Sequence, residues 1–227
     1  LKPNFFSNNF FLLILLSAIW GSAFIAIKVS VESINPITVA SGRLIIASLI
    51  LYSYFKYKKY TINIEKSVLI KIFFIGLIGN FIPFYFISWS EQYIQSNTAA
   101  MLLSVAPIFT LLIAHFFTYD DKFSLRKMLA ILIGLIGVSF IFGINSIKDL
   151  FSSNYLLYLP KILCIIAALG YVISSIMAYN LKKIDILTLT TFVTISAAIT
   201  SIPFMIYVEI ISFSKPTNLS LISLFYL

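Results

Sequence analysis

The chain has 227 residues, 60% of them hydrophobic and 11% charged. A water-soluble domain averages about half apolar and a quarter charged residues, so a soluble fold of this length has nowhere to hide the apolar surface, and lipid is the solvent for most of the protein. The net charge of +8 would suggest a nucleic-acid partner in a soluble protein. Here the basic residues fall in short clusters between apolar runs, which the lysine and arginine bias of cytoplasmic loops explains better, and no nucleic acid is implied.

A helix that crosses a bilayer needs about 20 apolar residues. Seven such runs are predicted, at residues 10–31, 36–55, 68–89, 97–118, 126–144, 157–180 and 187–210. An eighth begins at Leu219–Leu227. The first run is too long for the core of a signal peptide and is read as a retained span. The chain starts at Leu1 and ends within an apolar run, so a fragment of a longer protein is expected. The connections are short, which makes consecutive helices antiparallel neighbours. Backbone groups left unpaired in lipid are too costly for irregular structure there. The fold class is therefore an all-α polytopic helical bundle.

Lys56, Lys58, Lys59, Lys66 and Lys71 flank the second connection, Lys122, Arg126 and Lys127 the fourth, and Lys182 and Lys183 the sixth. Lys28, Lys148, Lys161 and Lys215 are spread over the opposite side. The even connections and the N-terminus, which carries Lys2, are predicted to be cytoplasmic.

Span one carries Trp20-Gly21-Ser22 and then Lys28. Trp20 lies near mid-depth, away from the interfacial belt. Ser17, Gly21 and Ser22 fit either a helix-packing seam or a ligand contact. Arg43 lies about seven residues into span two, roughly 10 Å deep at the helical rise. A charge at that depth either pairs structurally, snorkels to the headgroups, or meets a substrate or anion. Span three holds Asn80 at mid-depth, which needs hydrogen-bond partners, with Pro83, Tyr85 and Trp89 after it. The stretch 82–117 organises the rest: two spans joined by a polar bend, with Ser104 and Pro107 near the middle of the second. A proline there frees a carbonyl that protein or trapped water must satisfy, or is a plain kink. His115 at the lower end fits an interfacial or packing histidine better than a proton relay. Gly134 and Gly137 read as close helix packing. Cys164 stands alone in an apolar run, which excludes a disulfide framework or a zinc site built on cysteines.

A weak repeat joins the two ends of the chain. Ala167-Ala168-Leu169-Gly170-Tyr171 lies about 150 residues after Ala18-Ile19-Trp20-Gly21, and Ile184-Asp185-Ile186-Leu187-Thr188 follows Ile34-Asn35-Pro36-Ile37-Thr38 at the same offset. An odd number of spans separates the copies, so the second enters the membrane inverted. Transporters commonly use inverted repeats with a site at their interface.

The chain resembles the EamA-type branch of the drug/metabolite transporter superfamily over essentially its whole length. The resemblance rests on Trp20-Gly21-Ser22 with Lys28, Asn35-Pro36 before Arg43, and Ile82-Pro83-Phe84 through Trp89 and Gln92-Tyr93. Ala99-Ala100, Pro107, and Gly134 and Gly137 with Val138 complete it. It implies two inverted five-helix repeats, ten spans, and both ends in the cytoplasm. Residues 1–146 would form the first repeat, residues 147–227 a truncated second one, and about three spans would be missing. The chain departs from the pattern after span four, where Tyr119-Asp120-Asp121 replaces the usual glutamate, and in the second repeat, where Gly170-Tyr171 stands in place of a tryptophan.

The expected function is movement of small metabolites, amino-acid-like or amphipathic solutes, by alternating access around a midplane cavity in the plasma (inner) membrane. Export is the expected direction, and the energy coupling stays open. The candidate substrate-binding residues are Trp20, Ser22, Arg43, Asn80, Tyr85, Ser104, Tyr171 and Ser174. Few carboxylates lie deep, which disfavours a strongly cationic substrate. No cofactor, metal or catalytic residue is implied, and the partners are a small solute and the bilayer. The alternative is a membrane-embedded lipid-modifying enzyme, because His115 and Asp120 match the acyltransferase spacing in which a histidine acts as base and an aspartate orients it.

Overall fold

A computed structural model describes residues 8–60, 65–118, 122–151 and 154–227. Lys2 and the Tyr119–Asp121 stretch lie outside the described residues. Those described form helices joined by short turns, with no strand among them. Seven helical stretches are long and apolar enough to cross a membrane: Phe10–Ser30, Pro36–Tyr57, Lys66–Ser90, Ser96–Phe117, Leu125–Gly143, Tyr155–Tyr179 and Ile186–Ile211. The protein is an all-α polytopic membrane protein, and each predicted span has its counterpart.

The first span is helix α1 (Asn8–Ser30) and the second α2 (Pro36–Tyr57), which opens on a proline whose fixed φ suits a first turn. The third runs through α3 (Lys66–Gly76), a π-helical turn (Leu77–Phe81) and α4 (Ile82–Ser90). Pro83 causes the π turn. It has no N–H to give, so the ladder widens before it, and the Ile82 N–H reaches back five residues to the Leu77 carbonyl. The fourth span is broken: α5 (Ser96–Leu103) ends and α6 (Ala106–Phe117) begins just ahead of Pro107, with Ser104 and Val105 between them. The Ser104 hydroxyl donates to the Met101 carbonyl at 2.6 Å, taking up one freed acceptor.

Helix α7 (Leu125–Leu150) bends at Gly143, where φ is +78°. L-residues with a side chain rarely adopt that angle, and glycine does so freely. The sixth and seventh spans are α8 (Tyr158–Tyr179) and α9 (Ile186–Ile211), and a short α10 (Asn218–Tyr226) follows. Asp185 caps α9 by accepting the Thr188 N–H at 3.1 Å.

Two packing relations hold the bundle. Helices α2 and α9 lie side by side and antiparallel along most of their length. Asn35 Nδ2 donates to the Ser212 carbonyl at 2.9 Å at one end. Thr38 Oγ1 donates to Glu209 Oε1, and Ser41 Oγ lies 3.4 Å from the Ser201 carbonyl that accepts from it. At the other end the rings of Phe55 and Phe192 meet edge to face at 5.8 Å. The second relation is backbone contact by the third span. A Cβ on Gly79 would lie 2.3 Å from Ser174 Cβ, and one on Gly170 would lie 2.5 Å from the Ile78 carbonyl oxygen. One on Gly76 would lie 2.6 Å from the Val193 carbonyl. The third span is thereby wedged against α8 and α9 with no room for a methyl group. Helix α7, in contrast, buries none of its span Leu125–Gly143 and packs mainly on α5 and α6, while the Leu150 carbonyl near its end accepts from Lys161 Nζ of α8 at 3.1 Å.

Gly79→Ala should lower stability by about 1–3 kcal/mol through overpacking, read by unfolding of the purified protein in detergent. Gly21→Ala has nothing within 4 Å of the added carbon and should leave stability unchanged or raise it by up to ~1 kcal/mol. Equal losses for the two variants would mean that the close approach at Gly79 does not hold the bundle.

Candidate functional site

The junction of α2, α4 and α8 holds an arginine inside the bundle. The Arg43 guanidinium lies over the Phe84 ring, 3.8 Å from its centroid. Phe84 in turn meets Tyr171 of α8 edge to face, with centroids 6.3 Å apart. Among the described residues no carboxylate pairs with the guanidinium, and no hydrogen bond satisfies it. A face-on aromatic ring attracts a cation through its quadrupole, but it leaves the five N–H donors of the guanidinium free for an acceptor. Asn80 stands four residues before Phe84 in the π turn, half-buried and likewise without a hydrogen-bond partner among the described residues.

The other expected site residues are dispersed. Tyr85 packs against the core of Ile37, Leu44, Phe81, Ala197 and Ala198. Ser174 is buried, turns its hydroxyl to the Tyr171 carbonyl at 3.0 Å, and fills the space that Gly79 leaves. Ser22 meets the Tyr226 hydroxyl of α10 at 2.5 Å. Ser104 serves the break between α5 and α6. Trp20 is 65% exposed on α1. The structure thus joins Arg43 and Tyr171 through Phe84, with Asn80 one turn away, and sets Trp20, Ser22 and Ser104 apart from them. Grooves of about 570 and 380 Å³ occur on α7, the larger shared with α6 beside Pro107 and Thr110, and neither is lined by an expected site residue.

Two features went unassigned in the sequence. Phe84 is one of 22 phenylalanines, and nothing in its spacing says that it carries a cation. Glu91, in the turn between α4 and α5, is fully buried, with Lys28, Ser96 and Cys164 around it. Burial pushes its carboxyl up to about 8, against the pull of Ser96 and Lys28. Its signal was available: it is one of only 8 acidic residues, placed where a span meets the interface.

His115 does not present a free base. Its Nδ1 accepts the Phe123 N–H at 3.1 Å, and Phe116 and Phe123 flank the ring. Asp120, its expected partner in the enzyme reading, lies outside the described residues.

Comparison with known proteins bears on this arrangement. YoaV, an uncharacterized transporter of Bacillus subtilis (strain 168), is 23% identical over 215 residues, covering 94% of this chain and 72% of its own. An uncharacterized transporter of Archaeoglobus fulgidus is 34% identical over 119 residues, 52% of this chain and 42% of its own. A Chlamydia trachomatis serovar L2 protein named S-adenosylmethionine/S-adenosylhomocysteine transporter is 22% identical over 157 residues, 69% of this chain and 48% of its own. A solved crystal structure shares the fold with a TM-score of 0.67 at 16% identity, over 93% of this chain and 71% of that one. The profile of the EamA-like transporter family matches residues 9–143, more than half of the chain. That match, on a chain with seven helices long and apolar enough to cross a membrane, places it in the EamA-like transporter family.

Proposed function

We propose that this multi-pass membrane protein moves small solutes bearing a carboxylate, amino-acid-like metabolites above all, through a site centred on Arg43. The observation that carries the reading is the guanidinium stacked on Phe84 within the bundle with no anionic partner among the described residues. Charges inside a membrane are expensive and mark substrate paths. Guanidinium N–H donors match a carboxylate in bidentate geometry. Asn80 and the Tyr171 hydroxyl offer further polar contacts to the same ligand. The name of the chlamydial relative fits this chemistry, because S-adenosylmethionine and S-adenosylhomocysteine both carry an amino-acid carboxylate.

Residues 1–146 form the first of two inverted repeats in this reading, and residues 147–227 belong to the second. Support comes from the antiparallel pairing of α2 with α9, the helices that the sequence repeat relates. Rocking of one repeat against the other exposes the site to alternate sides. In this reading the lysine-rich connections and the N-terminus face the cytoplasm, as the lysine and arginine bias of such loops supports, the membrane is the plasma membrane, and export is the direction. Transport rather than catalysis is the activity, since the His115 imidazole is engaged by the backbone of the next connection.

The complete protein in liposomes should take up labelled amino acids and reject their decarboxylated amines. Arg43→Gln should cut uptake roughly 10- to 100-fold, the worth of about 1.5–3 kcal/mol for hydrogen bonds to a charged group. Phe84→Leu should cost about 0.5–2 kcal/mol of the same transport through loss of the ring face. Equal uptake of amines and amino acids would sink the carboxylate assignment. His115→Ala should transport as the unaltered protein does, and a protein silenced by that change would revive the enzyme reading.

A further inference from the structure

The turn between α4 and α5 is latched to α1 by an arrangement that its ionised form cannot satisfy. Lys28 of α1 gives its ammonium to two main-chain carbonyls of the turn, that of Glu91 and that of Ile94, the latter at 3.0 Å. It does not give it to the Glu91 carboxyl. That carboxyl is fully buried, and its Oε1 has no hydrogen-bond partner among the described residues. Its Oε2 lies 3.3 Å from Ser96 Oγ, and the same hydroxyl lies 3.2 Å from the Phe24 carbonyl. A serine hydroxyl has one proton. It cannot donate to a carboxylate and to the Phe24 carbonyl together. With Glu91 protonated the conflict disappears, because the acid O–H donates to Ser96 Oγ while the serine O–H donates to Phe24.

We propose that Glu91 is a proton-binding site: protonated, it lets Lys28 and Ser96 hold the α4–α5 turn shut against α1, and ionised, it draws the Lys28 ammonium off the turn carbonyls and releases the turn. The proton comes from water on that side of the membrane and returns there. The titratable and charged groups that face Glu91 are Lys28 from α1 and the Cys164 thiol from α8, and α5 contributes only the Ser96 hydroxyl. Burial supports the assignment by raising the carboxyl from 4.5 to about 8. The sign follows from linkage. A carboxyl raised in the closed state holds that state fully below its ordinary value, and the hold is lost as pH rises toward about 8. In a transporter this ties each closure of the turn to uptake of one proton.

Cys164 reports the latch, being the sole cysteine of these 227 residues and fully buried beside Ser90 and Glu91. The test is the rate of maleimide labelling at Cys164, resolved by peptide mass spectrometry, on the complete protein in liposomes without substrate. Dividing the rate by that of Glu91→Gln at the same pH removes the intrinsic pH dependence of the thiol, and the Glu91 charge, which disfavours a thiolate beside it, can only lower the ratio and so cannot mimic the expected climb. The glutamine amide donates to Ser96 as the protonated acid does. The ratio should climb by up to about tenfold per pH unit on the acid side of pH 8 and level off above it. A ratio that stays flat overturns the proposal. Should Glu91→Gln fail to fold, Ser96→Ala carries the test. It removes the acceptor of the acid proton, so it should label faster than the unaltered protein below pH 8 and equally above, and a ratio at or below one throughout overturns the latch. Neither readout involves substrate, so the latch stands or falls apart from the carboxylate reading of Arg43.

Discussion

A chain in lipid must satisfy its backbone from within, and Pro83 makes the third span pay attention to that rule. The missing N–H widens the ladder into the π turn at Leu77–Phe81. That turn sits where Gly76, Gly79 and Gly170 let three backbones touch. The two features are one device. Without the glycines the widened turn could not lie against α8 and α9, and without that contact α4 would not carry Phe84 to the place where α2 brings Arg43. π turns inside α-helices occur frequently at functional sites, and this one lies one turn from the stacked guanidinium.

Lys28 and Arg43, both drawn into the bundle, solve the same problem differently. Lys28 is a compact ammonium with three donors, and it finds carbonyl oxygens at the end of a helix. Arg43 is planar, and it lies flat on a ring that takes up its charge and leaves its edge open. The first arrangement is closed while the neighbouring Glu91 carboxyl is neutral. The second is complete as packing and incomplete as hydrogen bonding. That contrast separates a residue that fastens helices from one suited to meet a solute.

The spans were legible in the sequence because length and apolar content alone define them, and the third, predicted at 68–89, is observed at Lys66–Ser90. The facing of each side chain was not legible. In water an amphipathic stripe says which way a helix turns, but lipid and protein interior are both apolar, so Trp20 on the exposed side of α1 and Ser174 packed into the gap at Gly79 look alike in the sequence. Arg43 stood out because a charge at depth is rare. Phe84 did not, since a phenylalanine in an apolar run carries no mark of its neighbour. The break at Ser104 was foreshadowed by Pro107, and its outcome, two short helices rather than one kinked helix, depends on how the freed carbonyls were taken up.

The pairing of α2 with α9 also constrains how the protein is made. The side chains of Asn35, Thr38 and Ser41 leave the ribosome long before Ser201, Glu209 and Ser212, which receive their hydrogen bonds. Until the later helix is inserted, the earlier one must wait in the bilayer with these groups served by water at its end, by its own preceding turn, or by the insertion machinery. Assembly therefore cannot proceed helix by helix to completion, and the nascent bundle stays open along one seam until nearly the whole of this chain has entered the membrane.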